Sequence, residues 1–125
     1  MEMPFHPICR GLLENMPSAM AHCRMLYRKG EAGDFVFLGV NPAFEKLGLK
    51  EPLEKKATEL MPGLKESNPE LFELCGRVAR GGEAESVETF LPPLARWFSI
   101  KVYSPRKGHF VAILDDITER RNAET

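Results

Sequence analysis

The region that most constrains the fold lies near the C-terminal end of the sequence, where an apolar run passes directly into a charged segment. Residues 110–114 are apolar at every position, a pattern typical of a strand that is covered on both faces and lies inside a sheet. The charged residues that follow contain Asp116 and Glu119 at the spacing of a capping box, in which two side chains satisfy free amides of the first helical turn. The sequence therefore predicts a central strand that ends in a helix leaving the middle of the sheet.

Composition limits the classes of protein to which this chain can belong. Its 125 residues are enough for one domain with its own hydrophobic core. The formal net charge is −1 and there is no long basic run, which argues against binding to nucleic acid or to an anionic membrane surface. The apolar runs are too short to span a membrane. We expect a cytoplasmic domain whose partners are small molecules or proteins.

Gly and Pro residues divide the chain into short elements, and the spacing of apolar residues indicates which are strands and which are helices. Alternation predicts strands at residues 19–28, 35–40, 86–91, 96–103 and 109–114, with a turn at 29–34 between the first two. Asn41 and Pro42 predict a short helix ended by Gly48, and residues 53–61 a further turn or helix. A longer helix runs from Pro69 to the Gly pair at 81–82. This order suits an α+β domain with one antiparallel sheet and the helices on one face.

Four segments of the sequence resemble, in order and spacing, segments of one known family. They are Leu12-Leu13-Glu14-Asn15-Met16-Pro17, Val40-Asn41-Pro42-Ala43-Phe44-Glu45, Arg96-Trp97-Phe98-Ser99-Ile100 and Asp116-Ile117-Thr118-Glu119-Arg120. Through them nearly the whole chain resembles the PAS, or sensory box, domains of bacterial signalling proteins such as sensor histidine kinases and diguanylate cyclases. The resemblance implies a five-stranded antiparallel sheet in the order 2-1-5-4-3, with small helices packed on one face.

The resemblance also divides the chain into three parts. Residues 1–16 would form an N-terminal lead-in helix, residues 17–116 the PAS domain, and residues 117–125 the start of a C-terminal output helix that is cut short. A histidine kinase or diguanylate cyclase effector is expected to follow in the full-length protein. The chain itself is expected not to be an enzyme, because its scattered histidines and cysteines cannot assemble a nucleophile, a base and an orienting group.

In PAS domains, one set of side chains lines a pocket between the sheet and the helices. Here the floor would be formed by Ala21, Cys23, Phe98, Ile100, Val102, Phe110, Ala112 and Leu114, and the walls by Phe44, Leu47, Phe72, Cys75 and Val78. Such a pocket would be apolar and would suit a small apolar ligand. The same side chains can also interdigitate as a filled core, and the sequence leaves both alternatives open.

The sequence identifies no cofactor. Haem-binding PAS domains use an axial histidine, usually on the long helix, and residues 69–80 contain none. Covalent flavin photochemistry needs a reactive cysteine, and none lies near residues 41–44. Both groups are therefore not expected, and no metal site is predicted.

The remaining cysteines and histidines have simpler interpretations. Cys9, Cys23 and Cys75 are dispersed, odd in number and without a CxxC pair, which favours reduced thiols over disulfides or zinc. Cys23 and Cys75 could both approach the pocket, where a buried thiol usually acts as a small hydrophobic group. The three histidines, His6, His22 and His109, are interpreted as solvated or hydrogen-bonded residues rather than ligands, with His22 facing away from the pocket and His109 at a turn.

The resemblance assigns the start of the output helix to signal transmission, through Asp116, Thr118 and Glu119. On the outer face of the sheet, Trp97 and Tyr103 need cover. That cover would come from the lead-in helix, through Ile8, Leu12 and Leu13, or from a second protomer, and we expect a homodimer. The sequence thus predicts a module that senses a ligand or partner, dimerises and drives an effector. The alternative is a ligand-free PAS scaffold that pairs protomers and relays a signal.

Overall fold

A computed structural model of the chain describes residues 15–124. In chain order the elements are β1 (Ala19–Arg28), β2 (Glu31–Val40), α1 (Pro42–Glu45), α2 (Ala57–Leu60), α3 (Leu64–Ser67), α4 (Pro69–Ala79), β3 (Glu85–Leu91), β4 (Arg96–Tyr103), β5 (His109–Asp116) and α5 (Thr118–Glu124). The predicted lead-in helix at residues 1–16 lies outside the described residues except for its last two positions. Two strands, a group of short helices and three strands follow one another as expected.

The strands form one antiparallel sheet in the order β2-β1-β5-β4-β3. This confirms the predicted α+β architecture and the strand order 2-1-5-4-3. β5 lies between β1 and β4, with Leu114 opposite Ala19 on one side and Ile100 on the other. Neighbouring residues of a strand point to opposite faces, and Phe110 and Val111 of β5 are both at most 3% exposed. Burial on both faces explains why residues 110–114 are apolar at every position.

The predicted six-residue turn at 29–34 is wrong, because the turn between β1 and β2 contains only Lys29 and Gly30. Both residues have positive φ angles, 54° and 81°, the combination of a type I′ turn, whose twist matches that of the flanking strands. β2 therefore begins at Glu31, opposite Arg28. The sequence signal is weak because a lysine seldom adopts a positive φ.

The helices α1 to α4 pack on the inner face of the sheet. α1 contacts β1, α2 contacts β2, and α4 lies across β1, β2, β4 and β5. The predicted apolar face of α4, formed by Leu71, Leu74, Cys75 and Val78, is buried. Phe35 of β2 joins these layers, since its ring lies 5.2 Å from that of Phe72 on α4 and 5.1 Å from that of Phe110 on β5, centroid to centroid. The core therefore lies between the inner face of the sheet and α4.

Asn41 is the N-cap of α1, as predicted, and also fixes the start of β1. Its Oδ1 accepts hydrogen bonds from the amides of Phe44 at 3.0 Å and Met20 at 2.9 Å, and its Nδ2 donates to the Ser18 carbonyl at 2.9 Å. The side chain is buried, so these bonds take the place of the hydrogen bonds that the amide would make with water. α1 ends at Glu45, before the expected end at Gly48.

Candidate functional site

An apolar cavity of about 40 Å³ lies between the inner face of the sheet and the helices, where the pocket was expected. Its walls come from all five strands, α1, α4 and the segment around α3, and are formed by Ala21, Cys23, Phe35, Phe37, Phe44, Met61, Leu64, Leu71, Cys75, Leu91, Ile100, Phe110, Ala112 and Leu114. Sites for drug-sized ligands measure about 300–1,000 Å³. In this conformation the cavity is therefore far smaller than a site for a drug-sized ligand.

The predicted pocket residues fall into two groups. Those that line the cavity are Ala21, Cys23, Phe44, Cys75, Ile100, Phe110, Ala112 and Leu114. The others, Leu47, Phe72, Val78, Phe98 and Val102, belong to the core or pack against it but lie outside the cavity wall. The sequence pattern identifies which face a side chain occupies, whereas the small size of the cavity decides which of those side chains border it.

Six cavity residues were absent from the prediction: Phe35, Phe37, Met61, Leu64, Leu71 and Leu91. Three of them carried a usable signal, since Phe35 and Phe37 alternate along a predicted strand and Leu71 lies on the predicted apolar face of the long helix. Met61 and Leu64 flank Pro62 and Gly63, where the backbone follows no regular period. No sequence pattern could place those two.

Two buried thiols face this cavity, Cys23 from β1 and Cys75 from α4. Burial raises the pKa of the Cys75 thiol to about 12. Burial also raises the pKa of Cys23 well above its ordinary value, and the charge of a Cys75 thiolate would raise it further. Both side chains are therefore neutral thiols at pH 7.

The start of α5 is hydrogen-bonded to the start of β4. The Ile117 amide donates to the Trp97 carbonyl at 2.9 Å, and the Trp97 amide donates to Thr118 Oγ1 at 2.9 Å. Because Trp97 is followed by Phe98, which is only 1% exposed, the residue that holds α5 is the direct neighbour of a core residue. We call this set of contacts, formed by Trp97, Ile117 and Thr118, the β4–α5 junction.

Beyond the junction, α5 lies against the outer face of the sheet. The Arg121 guanidinium stands over the Trp97 ring, 3.9 Å from its centroid. Arg120 Nη2 is 2.6 Å from Glu88 Oε2 of β3, in an ion pair whose side chains are about half exposed. These solvent-exposed contacts are individually weak, so the outer part of α5 is held less firmly than its first turn.

Asp116 caps α5, but by a different arrangement from the predicted capping box. Its Oδ1 accepts from the Thr118 amide at 2.9 Å, and its Oδ2 lies 2.8 Å from Arg96 Nη1. A reciprocal bond from Glu119 is not among the hydrogen bonds of residues 15–124. Partial burial opposes ionisation of the Asp116 carboxyl, but the hydrogen bonds from Thr118 and Arg96 outweigh it and lower the pKa. The carboxylate is therefore ionised at neutral pH and joins β4 to the first turn of α5.

Comparison with known proteins gives matches of structure only: no protein-family model and no curated protein matches the sequence. A domain of an HTR-like protein from Haloarcula marismortui matches with a TM-score of 0.59 and 20% identity, over 82% of this chain and 100% of that one. A domain of a sensory box sensor histidine kinase/response regulator from Geobacter sulfurreducens matches with a TM-score of 0.60 and 20% identity, over 86% of this chain and 90% of that one. This chain has the PAS fold.

A third similar structure, an RNA-binding light-oxygen-voltage receptor, has a TM-score of 0.58 and 18% identity. The match covers 98% of this chain but only 38% of the receptor. At these identities the likeness is one of fold.

On the outer face of the sheet, two buried histidines are hydrogen-bonded to each other. His22 Nε2 of β1 lies 2.9 Å from His109 Nδ1 of β5, and the side chains are 4% and 9% exposed. His22 does face away from the cavity, whereas His109, expected at a turn, is the first residue of β5. Burial lowers the pKa of both imidazoles, and the positive charge of Arg106 lowers it further. Both rings are therefore neutral at pH 7.

Within residues 15–124, no group of three or more His, Cys, Asp or Glu side chains is arranged to hold a metal ion. No helix of that part of the chain is long and apolar enough to cross a membrane. Every buried side-chain nitrogen or oxygen described there has a hydrogen-bond partner.

Proposed function

We propose that this chain is a signal-sensing PAS module that binds a small ligand or a partner and transmits its state through α5 to an effector. The effector in this proposal is a histidine kinase or a diguanylate cyclase that follows in the full-length protein. Two findings support a sensory role. The chain has the PAS fold, and proteins of similar fold include a sensor histidine kinase/response regulator and a light-oxygen-voltage receptor.

The observation that carries the proposal is that one strand borders both the cavity and the output helix. Ile100 of β4 lines the cavity, and Trp97 of the same strand holds α5 at the β4–α5 junction. Leu114 of β5 also lines the cavity, two residues before Asp116. A change in the cavity that displaces β4 or β5 would therefore alter the contacts that dock α5.

The physical mechanism in this proposal is a shift of population between a docked and a released α5. A ligand can cause such a shift only if it binds one of the two arrangements more tightly than the other. Thr118 would act as a transmission residue because its bond to the Trp97 amide is made only when α5 is docked, and Asp116 because it joins Arg96 of β4 to the first turn of α5. Glu119, the third predicted transmission residue, is exposed and would act through its charge in the first turn.

A cavity-filling substitution tests this coupling without knowledge of the ligand. Ala112→Val adds side-chain atoms at the cavity wall, while Ala43→Val adds the same atoms at a core position outside the wall. Trp97 is the only tryptophan, so its fluorescence reports on the docking of α5. We expect a shift of the emission maximum in Ala112→Val and none in Ala43→Val. Equal emission in both variants and the wild type would contradict the coupling.

The second candidate function is a ligand-free PAS scaffold that pairs protomers and relays a signal. The cavity volume of about 40 Å³ favours it, because an organic ligand would require the helices to move outward. Native mass spectrometry of the purified chain distinguishes the two candidates. A bound small molecule supports the ligand-sensing function, and a mass equal to that of the bare chain supports the scaffold.

Both candidate functions include a homodimer formed through the outer face of the sheet. Phe90 and Tyr103 on this face are 38% and 40% exposed, and the Phe90 ring lies 5.7 Å from that of Trp97, centroid to centroid. Burying such aromatic surface between protomers would be favourable. Light scattering at high micromolar concentration should give the mass of a dimer, and Tyr103→Lys should weaken it. A monomeric mass would count against the dimer.

A further inference from the structure

One end of the sheet collects cationic side chains that are far apart in the sequence. Three segments meet there: the end of β1 with its turn to β2, the residues that follow α4, and the loop between β4 and β5. Gly108 of that loop joins them, since its carbonyl accepts a hydrogen bond from the Met25 amide at 2.9 Å and its amide donates to the Ala79 carbonyl at 2.7 Å. The three segments therefore form one continuous surface at this end of the domain.

We call this surface, formed by residues 24–31, 80–83 and 104–108, the cationic pole. It carries six cationic side chains and two carboxylates, those of Glu31 and Glu83, which gives a formal net charge of +4 in a chain whose total is −1. All six cations are exposed; they are Arg24, Arg28, Lys29, Arg80, Arg106 and Lys107. None of them takes part in the ion pairs formed within residues 15–124. Within that part of the chain, their charges are therefore available to an anionic partner.

The charges of the cationic pole lie on separate turns and do not line one groove. Lys29 lies in the turn between β1 and β2, Arg80 directly follows α4, and the loop between β4 and β5 carries two more cations. Arg80 and Arg28 border two different clefts. Proteins that bind single-stranded nucleic acid follow its backbone with a positively charged groove, whereas a flat anionic surface can contact charges on several turns at once. The arrangement therefore favours a flat anionic partner.

A partly exposed tyrosine lies among these cations. Tyr27 is 37% exposed and directly precedes Arg28, and the Arg80 guanidinium stands over its ring, 4.5 Å from the centroid. The Tyr27 hydroxyl donates to the Gly76 carbonyl at 2.9 Å, so the polar end of the side chain is bonded to the protein. Tyrosine is enriched at the interface between membrane and water, where its ring lies at the level of the lipid headgroups. An exposed ring surrounded by cations suits that environment.

We propose that the cationic pole docks this domain on an anionic membrane surface, through contacts of its arginines and lysines with acidic phospholipid headgroups. The absence of a long basic run argued against such a partner, since no more than two cations of the pole are adjacent in the sequence. The fold nevertheless assembles six of them on one surface. Each cation held near an anionic membrane strengthens binding by roughly fivefold, so a few simultaneous contacts are enough to hold the domain at the surface.

Docking through the cationic pole would leave the cavity and α5 accessible. None of the pole residues lines the apolar cavity. β5 begins at His109, next to the pole, and ends at Asp116, next to α5. Its eight residues separate the pole from α5 by roughly 25 Å. Membrane docking is therefore a property additional to the proposed function, and it does not depend on the coupling of the cavity to α5.

Co-sedimentation of the full 125-residue chain with lipid vesicles tests the cationic pole. We expect binding to vesicles of equal parts phosphatidylcholine and phosphatidylserine, none to pure phosphatidylcholine, and weaker binding as salt is added. The double variant Arg106→Gln/Lys107→Gln removes two pole charges and should weaken binding roughly 25-fold. The matched control is Lys46→Gln/Lys50→Gln, which removes two exposed charges outside the pole and should bind as the wild type does. Circular dichroism verifies that both variants fold.

Three results would overturn membrane docking through the cationic pole. The first is a wild type that does not sediment with phosphatidylserine vesicles even at low salt. The second is equal weakening in the two double variants, because the net charge of the chain and not the pole would then decide binding. The third is tighter binding to polyuridylate RNA than to the vesicles at the same salt concentration, which would assign the pole to nucleic acid. None of these results affects the Ala112→Val comparison, which decides the proposed coupling separately.

Discussion

The most direct perturbation of the β4–α5 junction is Thr118→Val, which replaces the hydroxyl by a methyl group of similar shape. In the wild type, Thr118 Oγ1 accepts the Trp97 amide at 2.9 Å. Valine cannot accept this bond, so the Trp97 amide loses its partner at a half-buried position. Thr118→Ser is the matched control because it keeps the hydroxyl.

The expected magnitude follows from what else holds α5. Leaving a buried amide unpaired costs about 1–3 kcal/mol, and the half-buried position of Trp97 puts the cost near 1–2 kcal/mol. α5 has only 7 residues, fewer than the roughly 12–15 that an isolated helix needs. Its other contacts include the Asp116 cap, one backbone bond from Ile117, the exposed ion pairs of Arg120 and Arg121 with Glu88, and the cation–π contact of Arg121. A loss of about 1–2 kcal/mol should therefore raise the released population roughly 5–30-fold.

Trp97 fluorescence with acrylamide quenching measures this population. When α5 is released, the Arg121 guanidinium leaves the ring, and water replaces it. Thr118→Val should give a red-shifted emission and stronger quenching than the wild type, with a loss of helical signal in the far ultraviolet. Thr118→Ser should resemble the wild type. If both variants match the wild type in emission, quenching and unfolding free energy, the junction does not hold α5 and the reasoning fails.

Three further predictions concern the stability of the domain. Gly76→Ala would place a Cβ atom 2.7 Å from that of Ala32, and should lower the unfolding free energy in urea by about 1–3 kcal/mol although alanine favours helices. Adding Ala32→Gly should recover most of that loss, and a Gly76→Ala variant as stable as the wild type would contradict the close approach. Asn41→Ala removes hydrogen bonds to the Met20 and Phe44 amides and the Ser18 carbonyl and should cost about 2–4 kcal/mol by thermal unfolding, whereas a cost well below 1 kcal/mol would show that the cap is dispensable. The pKa values of His22 and His109 are lowered from 6.5 in the folded protein, so the unfolded chain binds more protons, and the stability that is complete above pH 6.5 is lost as the pH falls below it. His22→Leu should reduce the dependence of the unfolding free energy on pH, and curves of unfolding free energy against pH that are parallel for the variant and the wild type would refute the assignment.

The strand order 2-1-5-4-3 was predicted from the resemblance to PAS domains, whereas the central place of the last strand was predictable from a strong local signal in the sequence. Residues 110–114 are apolar on both faces. Only a strand that lies between two others and is covered on both faces requires this pattern. The cap at Asn41 depends on residues close in sequence and was predictable for the same reason. The two-residue turn at Lys29 was not predictable, because a type I′ turn usually contains Asn or Gly at that position. The close approach of Gly76 to Ala32 was equally unpredictable from the sequence, since it depends on the packing of α4 against β2.

The candidate site was predictable in part, for a physical reason. Alternation along β4 separates Ile100 from Trp97 and identifies which side chains face the helices. It does not say whether facing side chains leave a gap, because that depends on rotamers and on the irregular segment that contains Met61. The pairing of His22 with His109 could not be predicted from the sequence either, since it depends on the register between β1 and β5.

The sheet separates the cavity from α5, and this limits how a signal can pass between them. Along β4, Phe98 points into the core and Trp97 points to the outer face, so one peptide unit connects the two sides. The contacts of α5 are unequal: its first turn is hydrogen-bonded to β4, whereas Arg120 and Arg121 make exposed contacts worth about 0.2–1 kcal/mol each. A helix that is held mainly through its first turn can be released by a small change at β4 without unfolding the domain. In the proposed function, a change of only about 1 kcal/mol at β4 would then alter the docked population several-fold. A change within a cavity that is too small for an organic ligand is therefore enough to move α5 in this proposal.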